Sequence, residues 1–161
     1  MSESANLFDV ELTKDDDDPD GYHASYARVG PLIGASALGL SVYLLPPGQS
    51  ICPYHYEYPD EEWLLVLEGR PTLRHPGGED DLRPWDTVCF PPGADGAHKV
   101  TNRSAERVLV AMLSTKAKTA VAVYPDSDKV GVWSGDGEVA GLFRRGDAVD
   151  YWDGEAIPAA S

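Results

Sequence analysis

Cysteine is scarce in this chain. It has two, Cys52 and Cys89, in 161 residues, too few for a disulfide framework. No run of about 18 apolar residues occurs, so no membrane-spanning helix is expected. The N-terminus, MSESANLFDVELTKDDDD, has neither the basic start nor the apolar stretch of a secretory signal. These absences read as a cytoplasmic protein. Basic residues are scarce too: 13 Lys and Arg stand against 27 Asp and Glu, a net charge of −14. Residues 1–20 carry −7 of it and residues 126–155 carry −5. Such ends repel a polyanion, which argues against nucleic acid as a partner. Helical signals are thin as well. The stretch ARVGPLIGASALG, residues 27–39, holds too many glycines and a proline for a good helix.

What is present is punctuation. Thirteen prolines and sixteen glycines break the chain into short apolar runs, the pattern of a mainly β protein. Candidate strands are LSVYLLP (40–46), YHYEY (54–58), EWLLVLEG (62–69), PTLRH (71–75), DLRP (81–84), TVCFP (87–91), HKVTN (98–102), RVLVAMLS (107–114), TAVAVYP (119–125) and KVGVW (129–133). Short strands at even spacing suggest a sandwich or small barrel. The predicted organisation is an acidic N-terminal tail (1–22), a barrel (23–125) and a C-terminal extension packing on it (126–161). In DDDDPDG, Asp16 to Gly21 matches the start of a calcium loop, but the twelfth position is Ala27 rather than Glu. The tail is therefore expected to be solvated and partly disordered.

One segment carries candidate chemistry: CPYHYEYPDEEWLLVLEG, residues 52–69. Residues two apart in a strand share a face. His55 and Glu57 thus point together, and Tyr54, Tyr56 and Tyr58 point the other way. If strands 54–58 and 62–69 pair as a hairpin across Pro59 and Asp60, Glu62 faces the same interior. A fourth ligand must then come from a distant segment, and His98 is the candidate. The tyrosine stripe, with Trp63, suits an outer face covered by another strand or by a second copy in a homodimer.

These residues resemble the cupins, small β-barrels of jelly-roll type. Their first motif reads G, about five residues, H-x-H, three or four residues, E, six residues, G. Here Gly48, six residues, His55-Tyr56-Glu57, four residues, Glu62, six residues and Gly69 stand in that order. The second motif reads G-D, four residues, P-x-G, two residues, H, three residues, N. Here it is Trp85-Asp86, four residues, Pro91-Pro92-Gly93, four residues, His98, three residues and Asn102. The resemblance covers about residues 40–115. It implies an all-β, cupin-like jelly-roll barrel with extra terminal segments, and metal ligands His55, Glu57, Glu62 and His98. Three departures stand out: Glu57 replaces the second His, Trp85 replaces a Gly, and the loop before His98 is two residues longer. Carboxylate is a good ligand for divalent ions, so two His and two Glu remain a workable set. It favours Mn or Fe, with Zn and Ni also accommodated.

Other readings of the same residues are weaker. H-x-E opens the zinc deaminase signature, but no C-x-x-C follows. Cys52 and His55 are three apart, which in a strand sets them on opposite faces; both cysteines are expected to be small buried residues. The expected function is a metal-binding cupin acting on a small molecule as an isomerase, dioxygenase or lyase. The alternatives are a non-enzymatic small-ligand binder and a sugar-phosphate isomerase or epimerase. The last follows from a C-terminal part, VYPDSDKVGVW and LFRRGDAVDYWDGE, that resembles the tails of small bacterial cupins, some labelled so by analogy. It needs a cation for phosphate; Arg70 and Arg74 are the candidates, while Lys99 is expected to point away from the pocket. Arg144 and Arg145 are expected to face opposite ways in a strand, and Tyr151 and Trp152 to anchor the tail on the barrel by apolar burial.

Overall fold

The structure, a computed structural model, describes residues 3–156. Residues 1–2 of the predicted tail and 157–161 of the predicted extension lie outside the described residues. Among the described residues twelve strands run in chain order: β1 Ser25–Arg28, β2 Leu38–Leu45, β3 Tyr56–Tyr58, β4 Glu62–Glu68, β5 Thr72–His75, β6 Gly78–Asp81, β7 Thr87–Phe90, β8 Lys99–Thr101, β9 Val108–Thr115, β10 Ala120–Tyr124, β11 Lys129–Trp133 and β12 Ala140–Arg144. All pairings are antiparallel. One sheet has the order β1-β2-β9-β4-β7, a second β12-β11-β10-β3 and a third β6-β5-β8. Together they make a jelly-roll barrel. Isolated pairs at Ser50–Thr101 and His55–His98 stitch the segment before β3 to β8. Among the described residues no helix is long and apolar enough to cross a membrane.

The central strands of the first sheet are apolar on both faces, and the two faces feed different cores. Leu45, Leu64, Val66, Val108 and Val110 fill the barrel with Leu73, Phe90 and Val100. The alternate residues Val42, Leu109 and Ala111 join Val29 and Leu67 on the outer face. That face is covered by the N-terminal segment, whose Leu7, Val10 and Leu12 pack on it. A backbone pair between Thr13 and Tyr26 holds the segment beside β1. These apolar residues of the expected solvated tail are packed, while Asp15, Asp16 and Asp17 are exposed. The apolar residues cover a sheet face that exposed Val and Leu would otherwise lose, at about 1.5–3 kcal/mol per side chain.

Other expectations shift in the same way. The strand expected at 81–84 lies at 78–81, since Pro76-Gly77 makes a tighter turn and His75 pairs with Gly78. Strand β1 lies outside the candidate strands, and β12 is a strand that Arg144 ends. The stretch 27–39 does hold only a short 3-10 turn, Gly30–Ile33. Beyond the barrel, β11 and β12 extend the sheet that carries β3. The tail after them does not anchor as expected: Tyr151 and Trp152 are 82% and 72% exposed and pack on one another. Arg144 ends β12, and Arg145 begins the following turn, where it faces Asp128 at 3.8 Å.

The motif positions have structural reasons. Gly69 has a φ of 82°, and a Cβ there would lie 2.5 Å from the Arg107 carbonyl oxygen. Asn102 is fully buried; its amide donates to the carbonyls of Leu45 and Glu106, and its oxygen accepts from Ser104. Trp85, standing where the motif has glycine, keeps the left-handed backbone with a φ of 75°. A bulky residue there costs about 1–2 kcal/mol, and the exposed indole recovers little by burial. Trp85→Gly is therefore expected to raise stability by about 1 kcal/mol in urea unfolding, with the slope unchanged.

Candidate metal centre

The structure brings His55, Glu62 and His98 together, with one donor atom from each within 4.8 Å of the others. They arrive from three places. His55 precedes β3, Glu62 opens β4, and His98 precedes β8. The two histidines are locked by reciprocal backbone bonds, His98 N–H to the His55 carbonyl at 2.8 Å and His55 N–H to the His98 carbonyl at 3.1 Å. The longer loop does not lift His98, because the turn Ala94–Gly96 absorbs the extra residues. Phe90 stacks on His98 at 3.8 Å between ring centres, and Tyr124 lies over His55 at 5.8 Å.

Glu62 does not reach the site through a hairpin. Strand β3 pairs with β10, and β4 lies between β9 and β7. The turn expected at Pro59 and Asp60 carries the chain from one sheet to the other. Asp60 is buried there, accepting bonds from Thr115 Oγ1 and the Ala117 amide. Nothing in the sequence pattern marked that role.

Hydrogen bonding fixes both imidazoles. His98 Nδ1 donates to the Gly96 carbonyl at 2.9 Å, and His55 Nδ1 to the Pro53 carbonyl at 3.1 Å. A carbonyl can only accept, so each Nδ1 holds the proton and each Nε2 presents its lone pair. Those lone pairs face Glu62 Oε2, at 3.6 Å from His98 and 3.8 Å from His55. Glu57 Oε1 is 3.8 Å from His55 Nε2, outside the close group of three. These gaps are too long for hydrogen bonds. Donors bonded to one ion at about 2.0–2.2 Å would stand only slightly closer.

The electrostatics agree. Burial pushes the Glu62 carboxyl up to about 8, with the Glu57 and Asp60 carboxylates adding to it. Burial also raises Glu57, helped by Asp60. Burial and the neighbouring His55 bring His98 down to about 4, and burial lowers His55. Neutral imidazoles and a carboxylate reluctant to ionise would therefore meet lone pair to lone pair. A proton on Glu62 or a cation among the three relieves that opposition, and the donor set fits a divalent ion.

Several expected site residues lie elsewhere. Arg70 follows β4 at the end opposite Glu62, and Arg74 stacks on Tyr54 and holds Asp126 through two hydrogen bonds. Tyr54 is buried with Arg74 over its ring, while Tyr58 and Trp63 are exposed. Lys99 points away from the centre, toward the Tyr22 hydroxyl. Cys89 is exposed, contrary to expectation. Cys52 Sγ sits 3.5 Å from His55 Nδ1, so strand parity fails there: residues 51–54 bend before β3 begins. Burial, with Glu62 and Glu57 nearby, pushes its thiol up to about 12. It stays a neutral neighbour of His55 rather than a thiolate ligand.

Residues 41–114 match the family model for the cupin domain. The chain carries a cupin domain. No curated protein sequence matches the chain. Among solved structures, the chain is similar to a sugar phosphate isomerase from a cupin superfamily of Silicibacter pomeroyi, with a TM-score of 0.79 and 25% identity over 93% of this chain and 98% of that one. The polyketide cyclase RemF from Streptomyces resistomycificus superimposes with a TM-score of 0.59 at 20% identity, over 71% and 80% of the two chains. A Cupin 2 conserved barrel domain protein from Salinispora arenicola gives 0.55 at 22%, over 73% and 91%. The last two share the cupin fold alone.

Proposed function

We propose that this cupin is a metal-dependent protein acting on a small molecule. The observation that carries the reading is the orientation of the imidazoles: both Nε2 lone pairs converge on one buried carboxyl. His55, Glu62 and His98 would hold the ion, with Glu57 as the fourth ligand. A divalent ion there supplies Lewis acidity and, if it is iron, reactivity toward O2. The chain's own part is to fix the donors. The His55–His98 backbone pair sets their spacing, Phe90 and Tyr124 hold the rings, and Asp60 pins the turn that delivers Glu62.

A second reading is favoured by the match along nearly the whole chain to a structure named as a sugar phosphate isomerase. Neither Arg70 nor Arg74 serves its phosphate, so that reading depends on other cations near the centre.

Elemental analysis of protein purified without added metal checks the proposal. About one equivalent of Mn, Fe, Zn or Ni is expected. Absence of metal, with no uptake of any of the four on titration, removes it. Turnover of a bound ligand by the metal-loaded protein separates an enzyme from a carrier or sensor.

A further inference from the structure

A cavity of about 230 Å³ adjoins Glu62 at the end of the first sheet. The register explains its lining. Arg28 lies opposite Ser41, and Ser41 opposite Met112, while Gly39, Ser114 and Glu62 form the next row on the same face. Tyr43, two residues from Ser41 on that face, closes the inner side, and Lys116 lies at the rim. Burial pushes the Tyr43 hydroxyl up, and the Arg28 charge opposes this, as expected of a cation on the same side of the sheet.

Arg28 and Lys116 have no carboxylate within ion-pairing distance among the described residues. Arg74, Arg83, Arg103, Arg107 and Arg145 all do. Arg70, Lys99, Lys118, Lys129 and Arg144 likewise have no such partner among the described residues, but Arg28 and Lys116 line one cavity together, and that convergence marks a place for an outside anion. Glu62 alone opposes them from the lining.

We infer that this cavity binds a small acid, with its anionic group on Arg28 and Lys116 and its other end at the metal centre. The inference rests on the metal-centre reading for the second half of that statement only. Size narrows the class. Strands β1 and β4 are three strand spacings apart, roughly 14 Å, and the arginine side chain spans much of that. At ~30 Å³ per water, the cavity takes roughly eight non-hydrogen atoms. That suits a three- to five-carbon acid and excludes a hexose phosphate lying wholly inside. Arginine's fork matches carboxylate and phosphate alike, so the acid group is left to experiment.

Succinate and inorganic phosphate are the probes, with uncharged succinamide as comparator, each titrated calorimetrically into metal-free and manganese-treated protein. Succinate, phosphate or both are expected to bind, and succinamide at least tenfold more weakly. Arg28→Gln and Lys116→Gln should each weaken the anion roughly tenfold, leaving metal content unchanged. Arg70→Gln, at the opposite end of β4, should change nothing. Preference for succinate identifies a carboxylic acid and preference for phosphate a phosphorylated one. No binding of either anion, equal binding of succinamide, or indifference to both substitutions overturns the inference. If the chain takes up no metal, the proposed function fails, yet Arg28-dependent succinate binding to metal-free protein would still establish the anion site.

Discussion

Glu62→Gln is expected to lower metal affinity at least about 100-fold while making the metal-free protein more heat-stable at pH 8. The two effects share one cause. Glu62 faces two imidazole lone pairs from a buried position, and burial holds its carboxyl at about 8. With a cation present, its charge is what binds. Without one, its charge is a burden. Glutamine keeps the shape, removes the charge and can donate an N–H to either Nε2. Loss of partners one shell further from a metal already costs 10–100-fold in affinity, so loss of a direct anionic ligand should cost at least the upper figure. The relief of an ionised buried carboxyl should raise Tm by about 5 °C or more. His98→Ala makes the contrast. It should also lose metal, but with a lower Tm, because it removes a ring that is 2% exposed and stacked on Phe90. Metal titration and thermal unfolding of the metal-free variants read both. Wild-type metal uptake by both variants would end the ligand assignment. An unchanged Tm for Glu62→Gln would mean that the carboxyl is not held against its charge.

What the sequence disclosed, it disclosed through short-range periodicity. The alternation in EWLLVLEG places Leu64 and Val66 in the barrel beside Glu62, and they lie there. The spacings of His55, Glu62 and His98 to their glycines and prolines survive because each marks a turn with one backbone solution, as at Gly69. The failures are of pairing rather than of local conformation. Period two says which residues share a face only while the strand lasts, so it missed Cys52 against His55. Nor does it say which strand lies beside which. The hairpin of 54–58 with 62–69 was the shortest connection, but a buried Asp60 holding Thr115 turns the chain into another sheet. The cover on the outer face has the same character: Leu7, Val10 and Leu12 stand among acids and give no clean pattern until Val42 and Leu109 are seen to need them. Arg28 became a site candidate only when β1, four residues long, was seen to pair with β2.

Metal affinity is expected to rise about tenfold per pH unit from roughly pH 5.5 to pH 8 and to level off above it. Binding must displace the Glu62 proton, and the folded carboxyl gives it up only near 8. The histidines do not compete in that range, since burial has brought His98 to about 4 and lowered His55. Were the histidines limiting, affinity would level off near the ordinary imidazole value of about 6.5. The slope also reports on Glu57, whose carboxyl is raised too: if it coordinates, the lower part of the curve should be steeper than tenfold per unit. Stability of the metal-free protein should run the other way. Glu62 is raised on folding, so its contribution is complete below about 4.5 and is lost as pH climbs toward 8, at about 1.4 kcal/mol per unit. His98 is lowered on folding, so its cost falls as pH rises from about 4 to about 6.5, which offsets Glu62 there. A net loss of roughly 2 kcal/mol therefore remains between pH 6.5 and pH 8. Saturating metal should cancel that loss and leave stability nearly flat, because an occupied site holds Glu62 ionised and the tenfold gain in affinity per unit, about 1.4 kcal/mol, offsets the metal-free slope over the same interval. Urea unfolding at pH 6.5 and pH 8, with and without Mn(II), measures both slopes. Parallel slopes in the two conditions would mean that the ion does not replace the Glu62 proton.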